Sequence, residues 1–376
     1  MFIALQTPVP VGGLQALWFL LVAVLWIGFF VLEGFDFGTG MLYQVLSRKD
    51  PEERRVMVNS IGPMWDANQV WLLTAGGATF AAFPGWYATL FSGLYLPLFL
   101  VLVALIIRGI SFEYRALNPS TQWKNTFDWL NSIGSFIVML VLGVGFANFV
   151  RGLPTYASAA NGMNPNLIAG DFAHRFFGLF MPFCLLGGVM MVVIALAHGS
   201  MWLSLKTSGA VLDKAKAFAP KAAYVATALI AVYVVWGNLM YATDNPFLNG
   251  FGTILRWVFG VVAILGMAAA AYFVGQSRYG ISFIASAVSI AMLTACSFTA
   301  IFGTLGFVGD GQPYAAVNIA SASSSHLTLV LMTVFACILV PIVLLYTIWA
   351  YTRFTRRLAV TNLPSEHGAS KVGALA

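Results

Sequence analysis

Charge is scarce in this 376-residue chain: 9% of its residues are Asp, Glu, Lys or Arg, where soluble globular domains carry about 25%. Cysteine is scarcer still. Cys184, Cys296 and Cys337 are widely spaced and odd in number, which argues against a disulfide framework, and no CxxCH run offers covalent haem attachment. The chain has no Walker A phosphate loop, Gly-x-Gly-x-x-Gly fingerprint, Gly-x-Ser-x-Gly elbow or His-Glu-x-x-His zinc motif, so soluble-enzyme chemistry has no support.

Apolar residues fill the space that charge leaves. They make up 60% of the chain, and the mean hydropathy is +0.86. Scanning for runs of about 20 apolar residues predicts nine spans, at 14–37, 59–83, 87–110, 126–149, 176–196, 222–241, 254–274, 281–302 and 327–351. The second interrupts itself with Asp66, Asn68 and Gln69. The first lacks a basic leader and a small-residue cleavage site, so it is expected to stay as an uncleaved span.

Basic residues orient the spans. With the N-terminus outside, sixteen of the 19 Lys and Arg face inward, from Arg48 and Lys49 to Arg353, Arg356, Arg357 and Lys371, while Arg151, Arg175 and Arg256 fall outside. That is the asymmetry of the positive-inside rule, and eight spans would scatter it. The net charge of +6 then reads as attraction to an anionic cytoplasmic leaflet and not to nucleic acid. The expectation is an all-α polytopic protein of the cell membrane, a single membrane domain with short connections, ending in a mobile cytoplasmic tail at 358–376.

Acidic residues at membrane depth are the functional signal, because an ionised group at a helix centre costs roughly 2.5–3.5 kcal/mol. Glu33 and Asp36, three apart, share one helix face, and Gly34 and Gly38 form a small-xxx-small pair beside them. Asn59, Asp66 and Gln69, at i, i+7 and i+10, predict a polar stripe turned away from lipid. Two such stripes meeting between helices would favour exchange of a proton over a permanent charge. Carboxylates there could equally cap helices or pair with Arg54, Arg55 or Arg108.

Several segments resemble subunit II of cytochrome bd quinol oxidase: Gly34-Phe35-Asp36-Phe37-Gly38, Arg54-Arg55-Val56-Met57-Val58-Asn59-Ser60-Ile61, Trp65-Asp66-Ala67-Asn68-Gln69-Val70-Trp71-Leu72, and Thr74-Ala75-Gly76-Gly77-Ala78. The likeness continues through Arg108, Phe112-Glu113-Tyr114-Arg115 and Trp123-Lys124-Asn125 to a closing Val340-Pro341-Ile342-Val343 segment. It implies two four-helix bundles, at about 14–150 and 172–303, plus a peripheral helix at 327–351. It also implies a respiratory complex that oxidises quinol and reduces dioxygen to water. Haem b and haem d would belong to a partner subunit I. This chain would support assembly and supply a cytoplasmic proton path through Glu33, Asp66 and Asp36, with Asn59, Asn68, Gln69 and Arg108 as polar support. Relatives often carry Asp at the Glu33 position and Gly at the Ala67 position; neither change removes a titratable group. A structural quinone, lipids and a small accessory subunit are further expected companions.

His174, His198, His326 and His367 are not placed to face one another as a bis-His haem site would require, so no haem or metal ligand is expected here. The sequence is compatible with two rival readings. A proton-coupled secondary transporter would also bury carboxylates, but Asp171, Asp244 and Asp310 sit in outside loops and the acids concentrate in the first two spans, without the paired broken helices of such folds. A purely structural assembly factor would need no titrating group.

Overall fold

The computed structural model describes residues 10–155, 176–241, 245, 247–248, 250–309 and 317–363. Asp171, His174, Arg175, Asp244, Asp310, His367 and Lys371 lie outside the described residues.

Helix α1 (Gly13–Leu46) runs 34 residues, about 50 Å. The short helix α2 (Pro51–Ile61) starts where its sequence specifies a start. The Asp50 carboxylate accepts from Glu52 N at 3.0 Å and Glu53 N at 3.1 Å, and Pro51 takes the first position, where a missing N–H is harmless. There follow α3 (Trp65–Ala82), α4 (Pro84–Gly93), α5 (Tyr95–Tyr114), α6 (Thr121–Arg151), α7 (Pro182–Lys206), α8 (Ala210–Met240), α9 (Gly250–Gly275), α10 (Tyr279–Ala300) and α11 (His326–Arg353).

Two predicted spans are broken by proline. The run 59–83 is divided at Gly62-Pro63, so Asn59 ends α2 while Asp66 and Gln69 open α3. The run 87–110 is divided at Leu94, where Pro97 has no N–H for the Gly93 carbonyl and its ring crowds that oxygen. Among the described residues eight helices are long and apolar enough to cross a membrane. Helix α3, with 18 residues and a polar first turn, is the predicted span not among them.

Helix α1 is the organising element and packs against α3, α6, α7 and α10. Its crossing with α7 is made by Gly38 and Gly199: a methyl on Gly38 would overlap the Ala195 carbonyl, and one on Gly199 would lie 2.6 Å from Gly38 C. Backbones meet this closely only through small residues. Gly34, the other half of the predicted pair, lies against the His198 ring with room to spare.

Helix α11 is the outlier, with Leu329 its one buried residue. Near its start Trp18 Nε1 donates to Leu329 O at 3.2 Å and Thr333 Oγ1 at 3.0 Å. Beyond its end Leu358 pairs in parallel with Thr207, and Leu358 N donates to Lys206 O at 2.8 Å. At the other end of α6 the strands β1 (Leu153–Thr155) and β2 (Phe307–Gly309) pair in parallel.

Candidate functional site

Side chains that a membrane should exclude are gathered along α1, where it meets α3, α6 and Arg108 of α5. Glu33, Asp36, Thr39 and Tyr43 of α1 are fully buried and fall within an arc of about 120° at 3.6 residues per turn. Opposite them α6 presents Asp128, Asn131, Ser132 and Ser135, at i, i+3, i+4 and i+7, all buried. The two seams close on Gly40, whose missing Cβ leaves space for Asn131 Oδ1 and Ser135 Oγ. Ser132 Oγ donates to Gly40 O at 2.7 Å.

The seam holds two ionic arrangements of different character. Asp128 is held by Arg54 Nε at 2.8 Å and by Arg115 Nε at 2.6 Å, with Arg115 Nη2 at 3.3 Å. This is a bonded, compensated cluster. Arg108 Nη1 instead stands 3.4 Å from Glu33 Oε2, both side chains fully buried. Neither Glu33 oxygen and none of the Arg108 guanidinium nitrogens has a hydrogen-bond partner among the described residues. The guanidinium is lodged over aromatic faces, 4.4 Å from the Phe37 ring centre and 5.2 Å from that of Phe112.

Asp36 is bonded on one side. Asn68 Nδ2 donates to Asp36 Oδ2 at 2.8 Å and to Leu32 O at 3.2 Å, while Tyr351 OH donates to Asn68 Oδ1 at 2.8 Å. Asp36 Oδ1 has no hydrogen-bond partner among the described residues. The amide of Asn68 thus joins α11, α3 and α1.

The predicted stripe of Asn59, Asp66 and Gln69 does not form, because the break at Gly62-Pro63 takes Asn59 off the face of α3. Asn59 is exposed and donates to Arg55 O at 2.8 Å. Gln69 is half-buried and Asp66 exposed on the surface of this chain, near enough to Glu33 to interact with it electrostatically. The buried polar residue of α3 is Asn68. Of the possible arginine partners, Arg108 meets Glu33, Arg54 meets Asp128 and Arg55 meets Glu52. Asp128 lies outside the first two spans, where the sequence concentrates its acids, and its signal is the i, i+3, i+4, i+7 polar spacing in 126–149. Tyr43 and Tyr351 carried no such signal.

His198 is buried within α7. Nδ1 lies 2.7 Å from Ser286 Oγ and Nε2 3.0 Å from Val31 O, and the ring stacks on Phe283 at 4.6 Å. Val31 O can only accept, so Nε2 carries a proton and neither nitrogen faces a site for haem iron. His326 is exposed in the first turn of α11. Among the described residues no three His, Cys, Asp or Glu side chains cluster as metal ligands would.

Residues 14–354 match the model of the family described as cytochrome bd terminal oxidase subunit II. The cytochrome bd ubiquinol oxidase subunit 2 of Bacillus subtilis (strain 168) is 36% identical over 348 residues, covering 93% of this chain and 98% of that one. The cytochrome bd-I ubiquinol oxidase subunit 2 of Escherichia coli (strain K12) is 36% identical over 374 residues, covering 93% and 96%. A chain of the bd oxidase structure from Geobacillus thermodenitrificans superposes with a TM-score of 0.67 at 17% identity, over 92% of this chain and all of that one, a likeness of fold. The all-α membrane fold, the relatives and the family match over nearly the whole chain agree: the chain belongs to the cytochrome bd terminal oxidase subunit II family and is a cell-membrane subunit of a quinol:oxygen oxidoreductase.

Proposed function

We propose that this subunit supports assembly of a haem-bearing subunit I and conducts protons from the cytoplasmic side toward the oxygen-reducing haems, which that partner holds. Glu33, Asp36 and Asp66 carry the protons. Arg108 biases Glu33, and Asn68 orients Asp36. Asp66, exposed on this chain, is the group through which protons pass to or from the partner's face.

The observation that supports this reading is the contrast between the two arginine–carboxylate arrangements. A pair that stabilises a buried site is closely hydrogen-bonded, as Asp128 is with Arg54 and Arg115; a buried pair lacking hydrogen bonds pays its desolvation with little return. Glu33 and Arg108 form such a pair. Its carboxylate oxygens remain free to take and release a proton, and the arginine charge keeps the ionised state within reach. The Asp128 cluster serves assembly.

Purified two-subunit oxidase carrying Asp66→Asn or Glu33→Gln tests the reading. Full haem content with slowed dioxygen reduction is expected, and Glu33→Asp should be milder than Glu33→Gln. Normal turnover at normal haem content in both neutralised variants would remove the proton role and leave assembly alone.

A further inference from the structure

Glu33, Asp36 and Asp66 leave a gap. From Asp36 toward the Arg54–Asp128–Arg115 cluster, at the end of α1 richest in basic residues, the helix runs seven residues to Tyr43, about 10 Å, and the cluster meets α1 further on, where Arg54 donates to Ser47 O; the interval is too long for one hydrogen bond. Two hydroxyls stand in this interval. Thr39 Oγ1 and Tyr43 OH are both fully buried, and neither has a hydrogen-bond partner among the described residues. Buried threonine normally returns its hydroxyl to the carbonyl one turn back, as Thr79 and Thr207 do here; Thr39 does not. Buried polar atoms without a protein partner are the groups that ordered water serves.

Tyr43 also holds the right place electrically. Asp36 on its own helix, Asp128 on α6, Arg108 on α5 and Arg115 just beyond α5 are all near enough to act on it electrostatically, so the charges at both ends of the interval are felt there. On the α6 side the seam is lined by Asn131 and Ser135, which meet α1 at Gly40. A phenol is suited to this position because it both accepts and donates while remaining neutral.

We infer that Tyr43, with Thr39, is the relay by which protons pass between the cytoplasmic ion cluster and Asp36, through ordered water bound to the two hydroxyls and to Asp36 Oδ1. The inference rests on the proton-path reading above and deepens it. Each transfer is balanced: the Tyr43 oxygen takes a proton from the water on the Asp128 side as its own phenolic proton leaves to the water on the Asp36 side, and rotation of the hydroxyl restores the starting state. No charge is left on the ring.

The test uses the two-subunit oxidase in lipid, supplied with a soluble quinol. Tyr43→Phe removes one oxygen and keeps the ring; Thr39→Val removes the second hydroxyl and Thr39→Ser restores it. Expected are normal haem content, dioxygen reduction slowed several-fold in Tyr43→Phe and Thr39→Val, an enlarged rate ratio between H2O and D2O in both, and recovery in Thr39→Ser. A structural role for the hydroxyls would not move the isotope ratio. Wild-type rates and isotope ratios in Tyr43→Phe and Thr39→Val, with Glu33→Gln and Asp66→Asn slow, would overturn the relay and leave the carboxylate path standing. Wild-type rates in all four would overturn the path itself. If Tyr43→Phe does not assemble, the Thr39→Val and Thr39→Ser pair decides alone.

Discussion

Arg108 Nη1 and Glu33 Oε2 face each other at 3.4 Å inside the protein, without a hydrogen bond to join them. Arg108→Gln alone withdraws the counter-charge from a desolvated carboxylate and should lower stability by about 3–5 kcal/mol, the cost of breaking a buried pair. Adding Glu33→Gln should restore the yield of assembled oxidase while dioxygen reduction stays slow. Recovery of rate together with yield would assign the pair to packing.

Asp128→Asn keeps the side-chain volume but strips Arg54 and Arg115 of their shared anion. Thermal unfolding in mild detergent should then show a larger loss of stability than Glu33→Gln causes. A melting curve like that of the parent would mean that the cluster contributes nothing to assembly.

Gly38→Ala and Gly199→Ala place a methyl into the opposing backbone at the crossing of α1 and α7, and each should cost about 1–3 kcal/mol as an overpacked contact. Gly145→Ala in α6 is the control. A methyl there meets nothing within 4 Å, and Ala suits a helix interior better than Gly, so its stability should hold or rise.

His198→Leu removes both ring nitrogens from Val31 O and Ser286. Because both nitrogens are already engaged, the reduced-minus-oxidised visible spectrum per assembled complex should keep its b- and d-type bands. Loss of a band would make His198 a haem ligand.

The class of fold was legible because it depends on composition, and nine apolar runs cannot be hidden in a soluble core. The break at Gly62-Pro63 was equally available, but a hydropathy window averages over a single proline. That averaging kept Asn59 in one helix with Asp66 and produced a stripe that the backbone does not form. Glu33 and Asp36 were found because each is a charge in an apolar run. Asn68 was placed among the supporting residues, yet its role in joining Tyr351 to Asp36 spans 283 positions of sequence, a distance no local pattern reports. Asp128 sits beside the basic and polar start of its helix, where a carboxylate looks like ordinary surface until folding brings Arg54 to it.

The mounting of α11 ties the last helix to the site. It is fastened to Trp18 near one end and, through Tyr351, to Asn68 at the other, with little else of it buried. The amide that holds Asp36 is therefore also an anchor of α11, so one side chain couples the seating of the last helix to the orientation of a buried carboxylate.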